Sequence, residues 1–118
     1  MALFLFDLFG SASIGVYSLA TDEIVIVPPQ VSEAKLKKLA EWLKAKVIPI
    51  TIGESVLIGA LACANSKGII LPHYTRKEEV QAIKSCCDIN IGIMETKRTA
   101  YGNLILANDY GALIDPRL

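Results

Sequence analysis

Nucleophilic chemistry in this chain would have to be built from three cysteines, Cys63, Cys86 and Cys87, and a single histidine, His73. A cysteine nucleophile needs its thiolate held beside a base. Cys63 lies in an apolar run between Ala62 and Ala64, Cys86 and Cys87 close a helical stretch, and no pair of acids accompanies His73. Adjacent cysteines match neither a CxxC redox pair nor a zinc spacing, and an odd number makes no disulfide framework. They read as buried or half-buried free thiols, and His73, after Ile70-Leu71-Pro72, as a surface or capping residue. No catalytic, cofactor-binding or metal-ligating residue is therefore assigned. Two other features could recognise a partner. Lys35, Lys37, Lys38, Lys44 and Lys46 crowd one segment, as a solvated helix face or as a patch for phosphates or acids. Asn103, between Gly102 and an apolar run, serves no turn, so it is either a contact residue or internally hydrogen-bonded.

The elements that would position these residues must come from a chain of 118 residues, 53% hydrophobic and 20% charged. That is one domain's length, with apolar material enough for a core. Twelve basic and twelve acidic side chains cancel, so no global field steers the chain to nucleic acid or anionic lipid. The opening MALFLFDLFG has no basic start and is broken by Asp7, so residues 2–9 read as a strand and the protein as cytoplasmic, with no membrane partner.

The chain repeats itself. Placing IGALACANSKGIILP (58–72) over YGNLILANDYGALIDP (101–116) aligns Gly59 with Gly102, Asn65 with Asn108 and Gly68 with Gly111. A third, fainter copy, IGVYSLATDEIVIVPP, starts at Ile14. Three repeats of about 44 residues follow, at 1–45, 46–88 and 89–118. In each, a continuous apolar run such as residues 57–63 reads as a buried strand. Asn65 or Asn108 opens a type I turn whose closing glycine takes a left-handed backbone, and a second apolar run ends at Pro72 or Pro116. Leu36, Leu39, Ala40 and Leu43 form one stripe of a helix. Thr75, Arg76, Lys77 and Glu78 fit a capping box opening a second helix through Val80, Ile83 and Cys87. Residues 46–52 and 89–95 read as further strands. Each unit is thus strand, hairpin and helix, the last lacking its helix.

The segments 13–28, 51–72 and 96–116, TIGESVLIGALACANSKGIILP and TKRTAYGNLILANDYGALIDP among them, closely resemble the translation initiation factor 6 family of archaea and eukaryotes. The resemblance covers essentially the whole chain, and the archaeal branch most. It implies a pentein, an α+β propeller of five such units, of which this chain would hold three. It also implies a cofactor-free protein, not an enzyme, that binds the large ribosomal subunit beside a ribosomal protein of the intersubunit face, near the sarcin–ricin loop. There it would block premature joining of the small subunit. The residues implied to face the ribosome are Gly15 with Val16, Gly59 with Ala60, and Gly102 with Asn103. Ala60 stands where eukaryotic members tend to carry arginine, so an ionic contact from that place is missing. Glycine at these positions would let another backbone come close.

Two other functions compete. A three-unit piece of a ring would have open ends, and a chain of just this length is then expected to self-associate, most simply as a twofold dimer. Other penteins are amidine-modifying enzymes with a cysteine, a histidine and carboxylates around a guanidinium group. The placement of the cysteines described above speaks against that chemistry here.

Overall fold

The computed structural model describes residues 3–118. Ser32 caps the first long helix by accepting a hydrogen bond from Lys35 N–H, and this helix (α2) runs Glu33–Leu43. Leu36 and Leu39 turn inward as the spacing requires, while Leu43 remains exposed. The chain leaves the helix through Lys44 in left-handed backbone, φ 51°. Ahead of α2 come a single helical turn (α1, Ile14–Tyr17) and a hairpin of β1 (Leu19–Ala20) and β2 (Ile24–Val27). After it, β3 (Lys46–Pro49) returns parallel to β2, with Val25 opposite Val47 and Ile26 opposite Ile48.

The same order recurs. A helical turn (α3, Ile58–Leu61) leads to β4 (Cys63–Ala64) and β5 (Gly68–Pro72), then α4 (Lys77–Cys86), then β6 (Asn90–Met94) parallel to β5. A third turn (α5, Tyr101–Leu104) leads to the hairpin β7 (Ile105–Ala107) and β8 (Ala112–Ile114). Among the described residues the result is a mixed α/β arrangement of two three-stranded sheets and one two-stranded sheet, with no closed barrel. Each three-stranded sheet borrows its third strand from the following repeat, which ties neighbouring repeats together.

All four residues of β2 are buried, because both faces of the strand are covered. Ile24 and Ile26 join Ile48, Ile69, Leu71 and Ile83 in one core, whereas Val25 and Val27 join Leu8 and Val31 in another, with Leu36 and Leu39 against it. Two packed layers thus share one strand.

Several sequence expectations change. Residues 57–63 form a helical turn and a two-residue strand, not one buried strand: a short continuous apolar run looks the same whichever way it is buried. In residues 3–9 no strand forms, only a bridge of Leu8 to Ser11; the reading of a strand from residue 2 falls partly outside the described residues. The strands expected over 46–52 and 89–95 stop at Pro49 and Met94. The turns at Asn65 and Asn108 form as expected, each asparagine Oδ1 accepting from the two following N–H groups that close the loop. Their glycines are not left-handed, however; besides Lys44, that backbone falls to Phe9, Gly10, Gly53 and Glu54. Finally, α4 begins one residue later than the capping box predicted. Arg76 is the N-cap, its N–H donating to the Glu79 carboxylate, while the Thr75 hydroxyl donates to the Pro72 carbonyl.

Candidate functional site

The six residues singled out by sequence fall on the three helical turns, two to each. Every turn closes on itself, the N–H of Ser18, Ala62 or Ile105 donating to the carbonyl of Ile14, Ile58 or Tyr101. Glycine is second in each, and the three turns stack side by side, α3 lying between α1 and α5. A Cβ on Gly59 would sit 1.8 Å from the Gly15 carbonyl oxygen, and one on Gly102 would sit 1.8 Å from that of Gly59. Nothing but hydrogen fits there, so these glycines are required by backbone contact between neighbouring turns. A Cβ on Gly15 would meet nothing among the described residues within 4 Å. The structure thus brings the sequence-predicted residues together, and it assigns the glycines at 59 and 102 a packing role.

The residue after each glycine faces outward to a different degree. Val16 and Asn103 are exposed and Ala60 is half-buried. Asn103 N–H donates to the Ala100 carbonyl, leaving its side chain at the surface. Beneath α5, Tyr101 is fully buried and its hydroxyl pairs with Thr96 Oγ1 at 2.7 Å. The surface carries no reactive pair. It is a row of closely stacked backbone that carries exposed apolar side chains at Ile14, Val16 and Leu57, the small Ala60 and the polar Asn103, suited to shape recognition.

At the far ends of the hairpins the turns at Thr21, Asn65 and Asn108 surround an open hollow of about 400 Å³. Ser66 donates to Asp109 through both N–H (2.8 Å) and Oγ (2.6 Å), and these bonds hold the Asp109 carboxyl below its usual range.

Sequence reasoning missed the residue that braces the α3 turn from below. Glu79 of α4 is buried, and its carboxylate accepts from Thr51 Oγ1, the N–H groups of Gly53 and Glu54, and the Arg76 N–H. It clamps the left-handed loop ahead of α3. The matching place in the first repeat, 44 residues earlier, is Lys35. There the charges are exchanged: Lys35 Nζ donates to the Asp7 carbonyl (2.8 Å) and carboxylate (3.0 Å), and Asp7 accepts from Gly10 N–H. Each clamp spans 28 residues and holds an equivalent loop. The repeat offset was the available signal, but Lys against Glu conceals a shared role. One lysine of the cationic cluster is therefore structural.

The cysteines stay apart from any catalytic arrangement. Burial pushes the thiols of Cys63 and Cys87 up, away from the thiolate, and His73 lies exposed with its ring edge-on to Tyr74. Among the described residues no cluster of three His, Cys, Asp or Glu could hold a metal ion, and no helix is long and apolar enough to cross a membrane.

Residues 4–118 match the family model described as the eIF-6 family. The chain is 40% identical over 114 residues to translation initiation factor 6 of Methanocaldococcus jannaschii, covering 92% of this chain and 50% of that protein. It is 36% identical over 118 residues to translation initiation factor 6 of Nitrosopumilus maritimus, covering all of this chain and 53% of that protein. With the Pyrococcus horikoshii factor of the same name it shares 38% identity over 116 residues, 94% of this chain and 51% of that one. The chain thus spans about half the length of the curated relatives it matches.

Proposed function

The chain belongs to the eIF-6 family, a family of translation factors and not of enzymes, and on that premise we propose that it binds the large ribosomal subunit and prevents premature association with the small one. The contact surface is the row of stacked turns, with Gly15 and Val16, Gly59 and Ala60, and Gly102 and Asn103 meeting a ribosomal protein of the intersubunit face near the sarcin–ricin loop. The observation that carries this reading is the stacking itself: one position recurring in three repeats forms one continuous surface. The same recurrence supports a pentein architecture, the chain supplying three sectors of a propeller over 1–45, 46–88 and 89–118. The action would take place in the cytoplasm, where subunits join.

Co-sedimentation with purified archaeal 50S subunits tests the reading, together with light scattering of subunit joining. We expect the chain to pellet with 50S and to slow joining; a chain left wholly in the supernatant at micromolar 50S would refute it.

Asn103→Ser should weaken 50S binding by about tenfold, the worth of one hydrogen bond, without changing the denaturation midpoint, because the side chain is exposed. Equal affinity of the two proteins removes Asn103 from the surface. By contrast, Lys37→Glu with Lys38→Glu should change 50S affinity by less than about threefold at physiological salt, since both lysines are solvated on the outer face of α2. Abolished binding in that double variant would put α2 in the interface.

A further inference from the structure

Tyr101 opens α5 and is fully buried, yet its side chain ends in a hydroxyl. The same place in the other repeats is held by Ile14 and Ile58, which fill space and carry no polar atom. Burial alone would be served as well by phenylalanine, which needs no partner. The hydroxyl of Tyr101 has one, Thr96 Oγ1 at 2.7 Å. Thr96 has a single hydroxyl proton, and it goes to the Arg98 carbonyl, also at 2.7 Å. Tyr101 is therefore the donor, and a relay runs from Tyr101 through Thr96 to the backbone of Arg98.

This relay ties the first residue of α5 to the loop ahead of it. On its inner side α5 is braced against α3 through Gly102, which lies on the Gly59 carbonyl, and the turn closes by Ile105 N–H donating to the Tyr101 carbonyl. One turn resting on one neighbour can roll about that contact, and a second anchor at its first residue stops the roll. Asn103 is next to Gly102 and exposed, so a roll would carry its amide across the surface. The residues in its place on the other two turns are Val16 and Ala60, which have no hydrogen bond to aim. The turn that presents a directional group is thus the one whose first residue is tethered through a hydroxyl.

Resting on the reading of this row as the ribosomal contact, we propose that Tyr101 is a positioning residue for Asn103: its hydroxyl, through Thr96, fixes the roll of α5 and so the direction in which the Asn103 amide meets the large subunit. Tyr101 is buried and touches no partner itself. Its effect on binding therefore has a ceiling, because a residue that acts only through Asn103 cannot cost more than the loss of Asn103.

Co-sedimentation with archaeal 50S subunits is measured for wild type, Tyr101→Phe, Asn103→Ser and the double variant, alongside residue-resolved amide exchange of each free chain. Tyr101→Phe should weaken 50S binding by about threefold to tenfold, no more than Asn103→Ser does, and the double variant should bind as Asn103→Ser does. In the free chain Tyr101→Phe should speed exchange of Asn103 N–H, which donates to the Ala100 carbonyl, by at least about threefold and leave Ala62 N–H at the end of α3 unchanged. Thr96→Val should repeat both effects, and Thr96→Ser, which keeps the hydroxyl, should show neither. Wild type left in the supernatant refutes the ribosomal reading itself. With wild type bound, the proposal is overturned by equal affinity of Tyr101→Phe, by losses that add in the double variant, or by Thr96→Ser behaving as Thr96→Val does. Unchanged exchange at Asn103 in Tyr101→Phe overturns it whether or not the chain binds 50S.

Discussion

Gly59→Ala is expected to destabilise the chain by more than about 3 kcal/mol, and Gly102→Ala by a similar amount, while Gly15→Ala leaves stability unchanged or raises it by up to about 1 kcal/mol. The three positions are equivalent in sequence and differ only in what lies opposite. A methyl on Gly59 would stand 1.8 Å from the Gly15 carbonyl oxygen and 2.5 Å from that of Ser18; on Gly102 it would stand 1.8 Å from the Gly59 oxygen and 2.8 Å from that of Ala62. Both obstacles are backbone and cannot rotate aside. The turns would have to part, pulling the fully buried Ile58 and Tyr101 away from their neighbours. At Gly15 a methyl meets nothing among the described residues within 4 Å, and alanine suits a helical turn better than glycine. Chemical denaturation of the three variants decides the matter: equal midpoints for Gly15→Ala and Gly59→Ala would show that the turns do not stack this closely. Gly15→Ala then serves a second purpose, because any loss of 50S binding in that variant reports the surface and not the fold.

Glu79→Ala is expected to cost about 3 kcal/mol and to lower the thermal midpoint by more than about 10 °C. Removal of the carboxylate leaves Thr51 Oγ1 and the N–H groups of Gly53, Glu54 and Arg76 without their acceptor, in a loop where Glu54 is held at φ 66°. Glu79→Gln keeps the volume but turns an amide NH₂ against groups that are themselves donors, so it should recover little. The pH dependence has a definite sign. Burial pushes the Glu79 carboxyl up, yet the hydrogen bonds from Thr51, Arg76, Glu54 and Gly53 outweigh it and hold the group below its usual value. A carboxyl held low in the folded chain binds fewer protons there than when unfolded. Its contribution is full above the unfolded value of about 4.3 and is lost as pH falls through the folded one. Wild type should therefore lose stability as pH falls below the unfolded value, and Glu79→Gln should lose distinctly less over the same fall. Parallel pH profiles for the two would refute the clamp.

Much of the architecture was legible because it is local. Asn65 and Asn108 form their turns through their own side chains, two and three residues away, and no tertiary contact is needed to recognise that chemistry. The stripe of Leu36 and Leu39 marks α2 for the same reason, while its cap at Ser32 emerged only in the structure. The internal repeat made Gly15, Gly59 and Gly102 equivalent before any fold was known. What the sequence could not decide depends on groups far apart in the chain. Whether residues 58–61 wind into a turn or extend as a strand rests on the backbone of the neighbouring repeat, 44 residues away, since an apolar run is buried equally well by either. Glu79 carries no sign of burial in its own helix; only the loop folded over it, 25 to 28 residues earlier, makes a buried carboxylate the favourable choice. In the first repeat the same loop is held by Lys35 and Asp7 with the charges exchanged. The periodicity of this protein was thus written in its residues, while the contacts at 1.8 Å and the clamp under α3 arose only once three copies of one pattern lay side by side.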